Sequence, residues 1–553
     1  MKNTLSTAAL AASLLSFSAP AIAQQAPDAG QTLQQLRQPQ APAATTSAVP
    51  TIQEAPVQAA VQSGGLEVEV RSIELSGNKV FGANALKGVI GNVSGKKFNL
   101  SAIYALAEKV TAYYRSKGYP FCHTYVPAQD LSSGTLRFIV VEGHYGVLKA
   151  TGKPFRARGA THFLKDMLHS GDPIANKQLE RAMLILDDQP GMRIRPVISP
   201  GAQTGLGDLT VAVERKSRIS GEVGGDNFGN RYTGEYRGHV TLVADSPFVF
   251  GDRLTVSNMY TNNDMWLGSI EYERPLNYNG LRGSVGFAHT NYQLGYEFQS
   301  LDVVGYADVA TARLSYPVVR SQHTNVYVAA QYQHKDLQDN YQSVASIKRK
   351  SSDAGSLTIQ FDNRDDFGSG GITYGQLGFT YGSLHLDTGL AAADAVSART
   401  AGGWAKATLD VVRIQKLPGK FSAYGHFSGQ WTGKNLDSSE QFGLGGYYGV
   451  RAYPLGEGMG ARGWLAQSEL RYTIEDLTPF VFFDAGRVEV NAHSWNSAIA
   501  PTRSIGATGV GFRLLRNGWS LESSLGWSAW GGAASSDTHN RNPRLLASLT
   551  RHF

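Results

Sequence analysis

Two small α+β units followed by an all-β transmembrane barrel of sixteen antiparallel strands is the fold that this 553-residue sequence predicts. Three observations carry the prediction. Helical spacing of apolar residues stops near residue 216. From Arg218 to Phe553 there follow segments of roughly ten residues in which apolar and polar side chains alternate, the signature of a barrel with one face in lipid. The connections between these segments are long after odd-numbered strands and short after even-numbered ones, which is the asymmetry of an outer-membrane barrel.

Composition excludes other classes. Charged residues are 17%, yet no window of ~20 nearly uncharged apolar residues follows the N-terminus, so a helical membrane protein is excluded. Tyr (25) and Phe (23) are too plentiful for a disordered chain. A single cysteine, Cys122, excludes an internal disulfide framework and reads as a packed small hydrophobe. A net charge of +6 is small for this length and gives no nucleic-acid signal.

The N-terminus reads as a secretory signal over residues 1–23. Lys2 is its positive end, Ala8 to Phe17 its apolar stretch, and Ala21-Ile22-Ala23 its cleavage site. Residues 24–65 are a Gln/Pro/Ala-rich linker with too little apolar surface to offset chain entropy. Within it, Asp28 can cap a short helix over 28–38 that puts Leu33 and Leu36 on one face.

The first α+β unit spans 66–143. Val68 to Leu75 alternates as a strand and ends at the turn Gly77-Asn78. A helix starts at Asn99 or Ser101, aligns Ile103, Leu106, Ala107, Val110 and Tyr114, and stops at Gly118. Strands Phe121–Pro127 and Thr135–Glu142 follow. The same element order recurs over 144–216: a strand at Val147–Ala150, a helix capped by Asn176 that carries Leu179, Met183 and Leu186, and strands Arg193–Ile198 and Asp208–Val213.

The barrel occupies 217–553. Its segments begin near residues 218, 236, 252, 265, 281, 302, 324, 350, 372, 401, 419, 460, 477, 502, 519 and 544, an even number as a bacterial barrel needs. Trp266, Ile270 and Tyr272 oppose Ser269, Glu271 and Glu273. Val326, Val328, Ala330 and Tyr332 oppose Gln331 and Gln333, and Val510, Phe512 and Leu514 oppose Gly509, Gly511 and Arg513. The long connections are 386–400, 434–459, 491–501 and 531–543. The chain closes on an apolar strand ending at Phe553, a barrel-assembly signal.

These residues resemble the TpsB family of outer-membrane transporters of two-partner secretion, the ShlB/FhaC/HecB type. Tyr125-Val126-Pro127-Ala128-Gln129-Asp130-Leu131, Gly134-Thr135-Leu136 and Val140-Val141-Glu142-Gly143 look like the end of that family's first POTRA domain. Leu186-Asp187-Asp188-Gln189-Pro190-Gly191 with Pro200-Gly201 looks like the second, and Asp226 to Gly234 like its first barrel hairpin. Gly449-Val450-Arg451-Ala452-Tyr453 resembles the family's Val-Arg-Gly-Tyr motif, with Ala452 where Gly is usual. Phe482-Phe483-Asp484-Ala485-Gly486 matches its Phe-x-Asp-x-Gly.

The resemblance implies two periplasmic POTRA domains (βααββ) and a sixteen-stranded barrel. It also implies that loop 434–459 folds inward, with Arg451 gripping Asp484 and with Val450, Tyr453, Phe482 and Gly486 supporting the contact. A guanidinium grips a carboxylate with two parallel hydrogen bonds, which fixes direction as well as position. Glycines 445, 446 and 449 suit a tight inward hairpin, and Gly486 leaves room on the lumen wall.

The implied function is ATP-independent secretion of a large unfolded exoprotein bearing an N-terminal secretion domain. The implied cargo is a haemolysin, adhesin, contact-dependent toxin or haem scavenger, and segment 28–38 is a candidate for the pore-plugging helix that many family members have. Further expected partners are outer-membrane lipids and lipopolysaccharide, periplasmic chaperones, and the barrel-assembly machinery through Phe553, with no nucleic acid. The alternative is a barrel-assembly insertase of the same superfamily. No catalytic constellation, cofactor motif or metal-ligand spacing is present in the sequence. Gly456-Glu457-Gly458-Met459-Gly460 lacks a P-loop Lys and a following helix, and reads as loop flexibility.

Overall fold

The computed structural model describes residues 26–34, 51–52, 67–497 and 499–553. The predicted secretory signal, most of the linker and residues 35–38 of the predicted helix lie outside the described residues.

In the first α+β unit the predicted strand 68–75 is broken at Arg71. Val68–Val70 pairs with Lys96–Phe98, while Ser72–Ser76 pairs in parallel with Thr135–Val141, whose other side takes His123–Tyr125. Two helices cover this sheet. Leu100–Ser116 starts where Asn99 Oδ1 accepts the Ala102 N–H at 2.8 Å. Ala83–Ile90 has no strong sequence signal, because its two buried residues, Leu86 and Ile90, are too few to set a period.

Glu142 organises the end of the unit. Its Oε1 accepts from Tyr114 Oη at 2.6 Å and from the Lys79 and Val80 N–H groups at 2.8 Å. Burial, and then the Glu142 carboxylate, push the Tyr114 phenol well above its ordinary pKa. Burial likewise pushes the Cys122 thiol up to about 12, with Glu142 adding to the effect. Cys122 is 2% exposed and packs in this core.

The second unit is a four-stranded sheet. Met192–Pro200 and Leu206–Arg215 form an antiparallel pair, His144–Gly152 joins in parallel on one side, and residues 51–52 pair in parallel with Val197 and Ile198 on the other. Helix Asn176–Asp187 begins one residue earlier than predicted: Ala175 is its N-cap, without a side-chain hydrogen bond, and Asn176 is its first helical residue. A second helix, Pro154–Met167, opens with Pro at its first position. Gly159 inside it costs about 1 kcal/mol relative to Ala. A Cβ there would lie 2.3 Å from the Phe250 ring, so the glycine admits that ring.

Phe250 belongs to the connection after the second barrel strand, and it is not the sole tie between this unit and the barrel. Phe163 meets Tyr278 edge-on at 4.9 Å, Arg320 grips Asp188 with two 2.7 Å bonds, and Arg181 donates to the Pro317 carbonyl at 2.8 Å. Arg282 Nη1 donates to Gln189 Oε1 at 3.1 Å.

Sixteen antiparallel strands then close into a barrel, with Ile219–Asp226 pairing against Arg544–His552. Strand starts fall within a few residues of the predicted ones; the largest difference is Ser346 against 350. The alternation sorts as read. Ile270, Tyr332 and Val510 are exposed on the outer wall, while Lys335, Asp339, Glu469 and Asp484 are buried on the inner one. One helix, Thr388–Ala395, lies in a long connection where no helical period is evident; Asp387 caps it by accepting the Leu390 N–H.

Candidate functional site: the inward loop and its anchors

The connection between the eleventh barrel strand (Phe421–Thr432) and the twelfth (Arg462–Tyr472) packs against the inner wall. Glycine makes its turn. Gly446 has φ +99°, and a Cβ at Gly449 would lie 2.0 Å from the Leu444 carbonyl oxygen. The Val450 N–H donates to that carbonyl at 2.7 Å, and the Val450 side chain is fully buried. Ala452 is not among the residues with positive φ, so its replacing the usual Gly imposes no backbone strain.

Arg451 is 3% exposed. Its Nε and Nη2 donate to Asp484 Oδ2 and Oδ1 at 2.8 and 2.7 Å, the two-pronged grip expected, and its own N–H adds a third bond to Oδ2 at 3.1 Å. The guanidinium lies 3.7 Å from the Phe482 ring centroid, a cation–π contact in a water-poor site. Gly486 makes room for Leu444: a Cβ would lie 2.6 Å from Leu444 Cδ2. Tyr453 is buried, and its hydroxyl is 2.8 Å from Ser528 Oγ and from the Trp530 carbonyl oxygen. All six predicted residues therefore meet in one cluster.

Sequence reasoning missed Glu469, the centre of the charge network. It accepts from Arg451 Nη1 at 2.6 Å, Arg471 Nε at 2.7 Å and Arg513 Nη1 at 2.8 Å. Arg513 continues to Glu522 at 2.6 Å. The available signal was parity: Glu469 and Arg471 flank Leu470, so both face inward if Leu470 faces lipid.

Two further anchors were also missed. Glu457 contradicts the reading of its Gly-rich segment as loop flexibility. It is fully buried and accepts from Arg503 Nε (2.8 Å), the Ser535 and Ser536 N–H groups (2.8 Å each) and both serine hydroxyls (3.0 and 2.7 Å). Donors on the connection after the fifteenth strand fix this carboxylate, so the loop is tied at its rim as well as in the lumen. At its start, Glu440 lies between Lys335 and Lys406, the latter at 2.8 Å.

Helix Ala29–Gln34 packs beside that start. Asp28 Oδ1 caps it through the Gln31 N–H at 2.9 Å, and the Ala29 N–H donates to Asp339 at 3.0 Å. Lys350 Nζ bridges Asp28 Oδ2 (2.9 Å) and Asp437 Oδ2 (2.7 Å), so one cation holds both helix and loop. A Cβ at Gly30 would lie 2.4 Å from Ser438 Oγ.

Comparisons with known proteins agree with this fold. The pattern of the haemolysin secretion/activation protein ShlB/FhaC/HecB family matches residues 205–514, and that of the ShlB-type POTRA domain matches 68–143. The heme/hemopexin transporter protein HuxB of Haemophilus influenzae is 25% identical over 463 residues, 81% of each chain. The structure of CdiB from Escherichia coli superposes with a TM-score of 0.72 at 18% identity, covering 90% of this chain and 93% of that one. BamA from Haemophilus ducreyi lacking POTRA domains 1–3 is a more distant fold neighbour, with a TM-score of 0.52 at 11% identity. Homologues of this kind are outer-membrane transporters that secrete partner exoproteins, with the barrel in the outer membrane and POTRA domains in the periplasm. With its barrel and its POTRA domain both matched, the chain belongs to the haemolysin secretion/activation protein ShlB/FhaC/HecB family.

Proposed function

We propose that this chain is the export pore for one large exoprotein, which reaches it unfolded in the periplasm, docks through an N-terminal secretion domain, crosses the barrel and folds outside. The observation that carries the reading is the pinned lumen. A loop clamped by Arg451 on Asp484 and Glu469, and a helix clamped by Lys350, occupy space that a passing chain needs. Resting closure and displacement by cargo follow, with Arg451–Asp484 as a two-state latch and the helix as a plug.

The second α+β unit serves as a second POTRA domain. Its strand Met192–Pro200 already receives residues 51–52 in parallel, so that edge is geometrically able to take an extended segment of cargo. HuxB is named a heme/hemopexin transporter, which puts a haem-acquisition exoprotein first among the cargo classes. Folding at the surface supplies the drive without ATP, and the chain works as a conduit and not as an enzyme. The signal over 1–23, chaperone hand-over and reading of Phe553 by the assembly machinery belong to the same proposal.

The test compares bacteria carrying the intact gene, a deletion, and Arg451→Ala, by mass spectrometry of released and surface proteins with barrel levels as control. Loss of one large protein on deletion, and its reduction with Arg451→Ala at normal barrel levels, is expected. Unchanged secretion together with a general fall in other outer-membrane barrels would establish the insertase alternative instead.

A further inference from the structure

A barrel's outer wall is convex, yet this one carries a concavity of about 890 Å³ across its fourth to ninth strands. Register explains it. Two neighbouring rows of outward side chains alternate large and small out of phase: Gly283, Leu314, Ala330 and Leu357 in one, Val285, Ala312, Tyr332 and Gly355 in the other. The small members leave a trough and the large ones wall it. A Cβ added at Gly355 meets nothing within 4 Å, so the floor is open there. The volume falls in the ~300–1,000 Å³ range of small-ligand sites.

The trough has a polar end. Arg274 shares the outward parity of Ile270 and Tyr272 and is exposed; its Nε makes one long contact, 3.5 Å to the Pro275 carbonyl oxygen. The lining contains no Asp or Glu, and its other cation, Arg313, reaches Gln360 on the opposite parity. Arg274 precedes the turn whose Tyr278 packs on the second α+β unit, which puts it at the periplasmic rim. Toward the cell exterior the outward rows become polar, with His289 2.6 Å from Asp308 and His334 2.8 Å from Asp353.

We infer that this trough is a lipid site that seats one acyl chain of a periplasmic-leaflet glycerophospholipid, with its phosphate on the Arg274 guanidinium. The apolar channel takes the methylenes, and the uncompensated cation at the headgroup level takes the anion. Lipid A of the outer leaflet presents its phosphates at the opposite rim, a bilayer's thickness from Arg274, so this cation is not placed to hold it.

Native mass spectrometry of the purified full chain tests this, with phosphatidylglycerol, phosphatidylethanolamine and lipid A offered separately. The variants are Arg274→Gln, which removes the cation, and Gly355→Leu, which fills the floor where space is open. Heat-modifiable gel mobility verifies that each barrel is folded. The expected result is one tightly retained glycerophospholipid on the intact protein, with occupancy at least fivefold lower in both variants. Equal occupancy in all three proteins, retention of lipid A in preference, or a variant-sensitive cross-link to another protein at residue 355 would each overturn the assignment.

Discussion

Arg451→Ala is the sharpest test of the latch. The substitution leaves Asp484, which has no solvent exposure, with a single remaining donor from this site, the N–H of residue 451. Glu469 is less affected, because Arg471 and Arg513 still serve it. The cost therefore concentrates on one uncompensated buried carboxylate, about 3–5 kcal/mol for a broken buried pair. At about 1.4 kcal/mol per tenfold, the ratio of docked to released loop falls by roughly 10²- to 4 × 10³-fold. Planar-bilayer recording of the purified protein should show higher resting conductance, and protease should cut within 434–459 much faster at unchanged heat-modifiability. Replacing both partners with leucine removes the stranded charge and should recover part of the closed state. Arg451→Lys keeps the charge without the two-pronged grip and should fall between the intact protein and Arg451→Ala. If Arg451→Ala records the conductance and protease resistance of the intact protein, the buried pair is not what holds the loop.

Lys350, Glu457 and Cys122 carry the remaining expectations. Lys350→Met leaves Asp28 and Asp437 facing each other without their shared cation, and should release the helix and raise resting conductance at unchanged secretion; an unaltered conductance would remove Lys350 from the plug mechanism. Glu457→Gln sets an amide against fixed N–H and guanidinium donors, costs about 1.5–3 kcal/mol, and should make loop 531–543 more protease-sensitive on whole cells; equal digestion would deny it an anchoring role. Cys122 stays a thiol in the fold up to about pH 12, so folded protein should resist maleimide at pH 8 while urea-unfolded protein reacts. Because the unfolded thiol ionises from ~8.5, the stability of the first unit should be level below that pH and decline above it, as denaturant melts will show.

Most of the barrel was readable from parity alone, because lipid on one side and lumen on the other impose a period of two that tertiary contacts do not override. Arg451 and Asp484 were legible only through motif resemblance, since Arg451 lies in a connection and a loop arginine is ordinarily solvated. What escaped reading depended on distant partners. Helix Pro154–Met167 buries just Ala160, Phe163 and Leu164, and its Gly159 weakens the local signal for the benefit of Phe250. Glu457 sits among glycines that suggest mobility, and its donors lie 46 to 79 residues away. The Lys350–Asp28 bond joins positions 322 residues apart, a separation that no window of sequence can show.

The seating of the second α+β unit on the barrel has a mechanical consequence. Its ties run to the connections after the second and fourth strands and to the end of the sixth, through Phe250, Tyr278 and Arg320. The staves carrying Tyr292, Asp339 and Lys350, which cradle helix Ala29–Gln34, are the fifth, seventh and eighth. Load applied to the second α+β unit is therefore borne off-axis, by the side of the cylinder that holds helix Ala29–Gln34. A tug from outside the lumen can reach that helix through the wall as leverage, with nothing in contact with the helix itself.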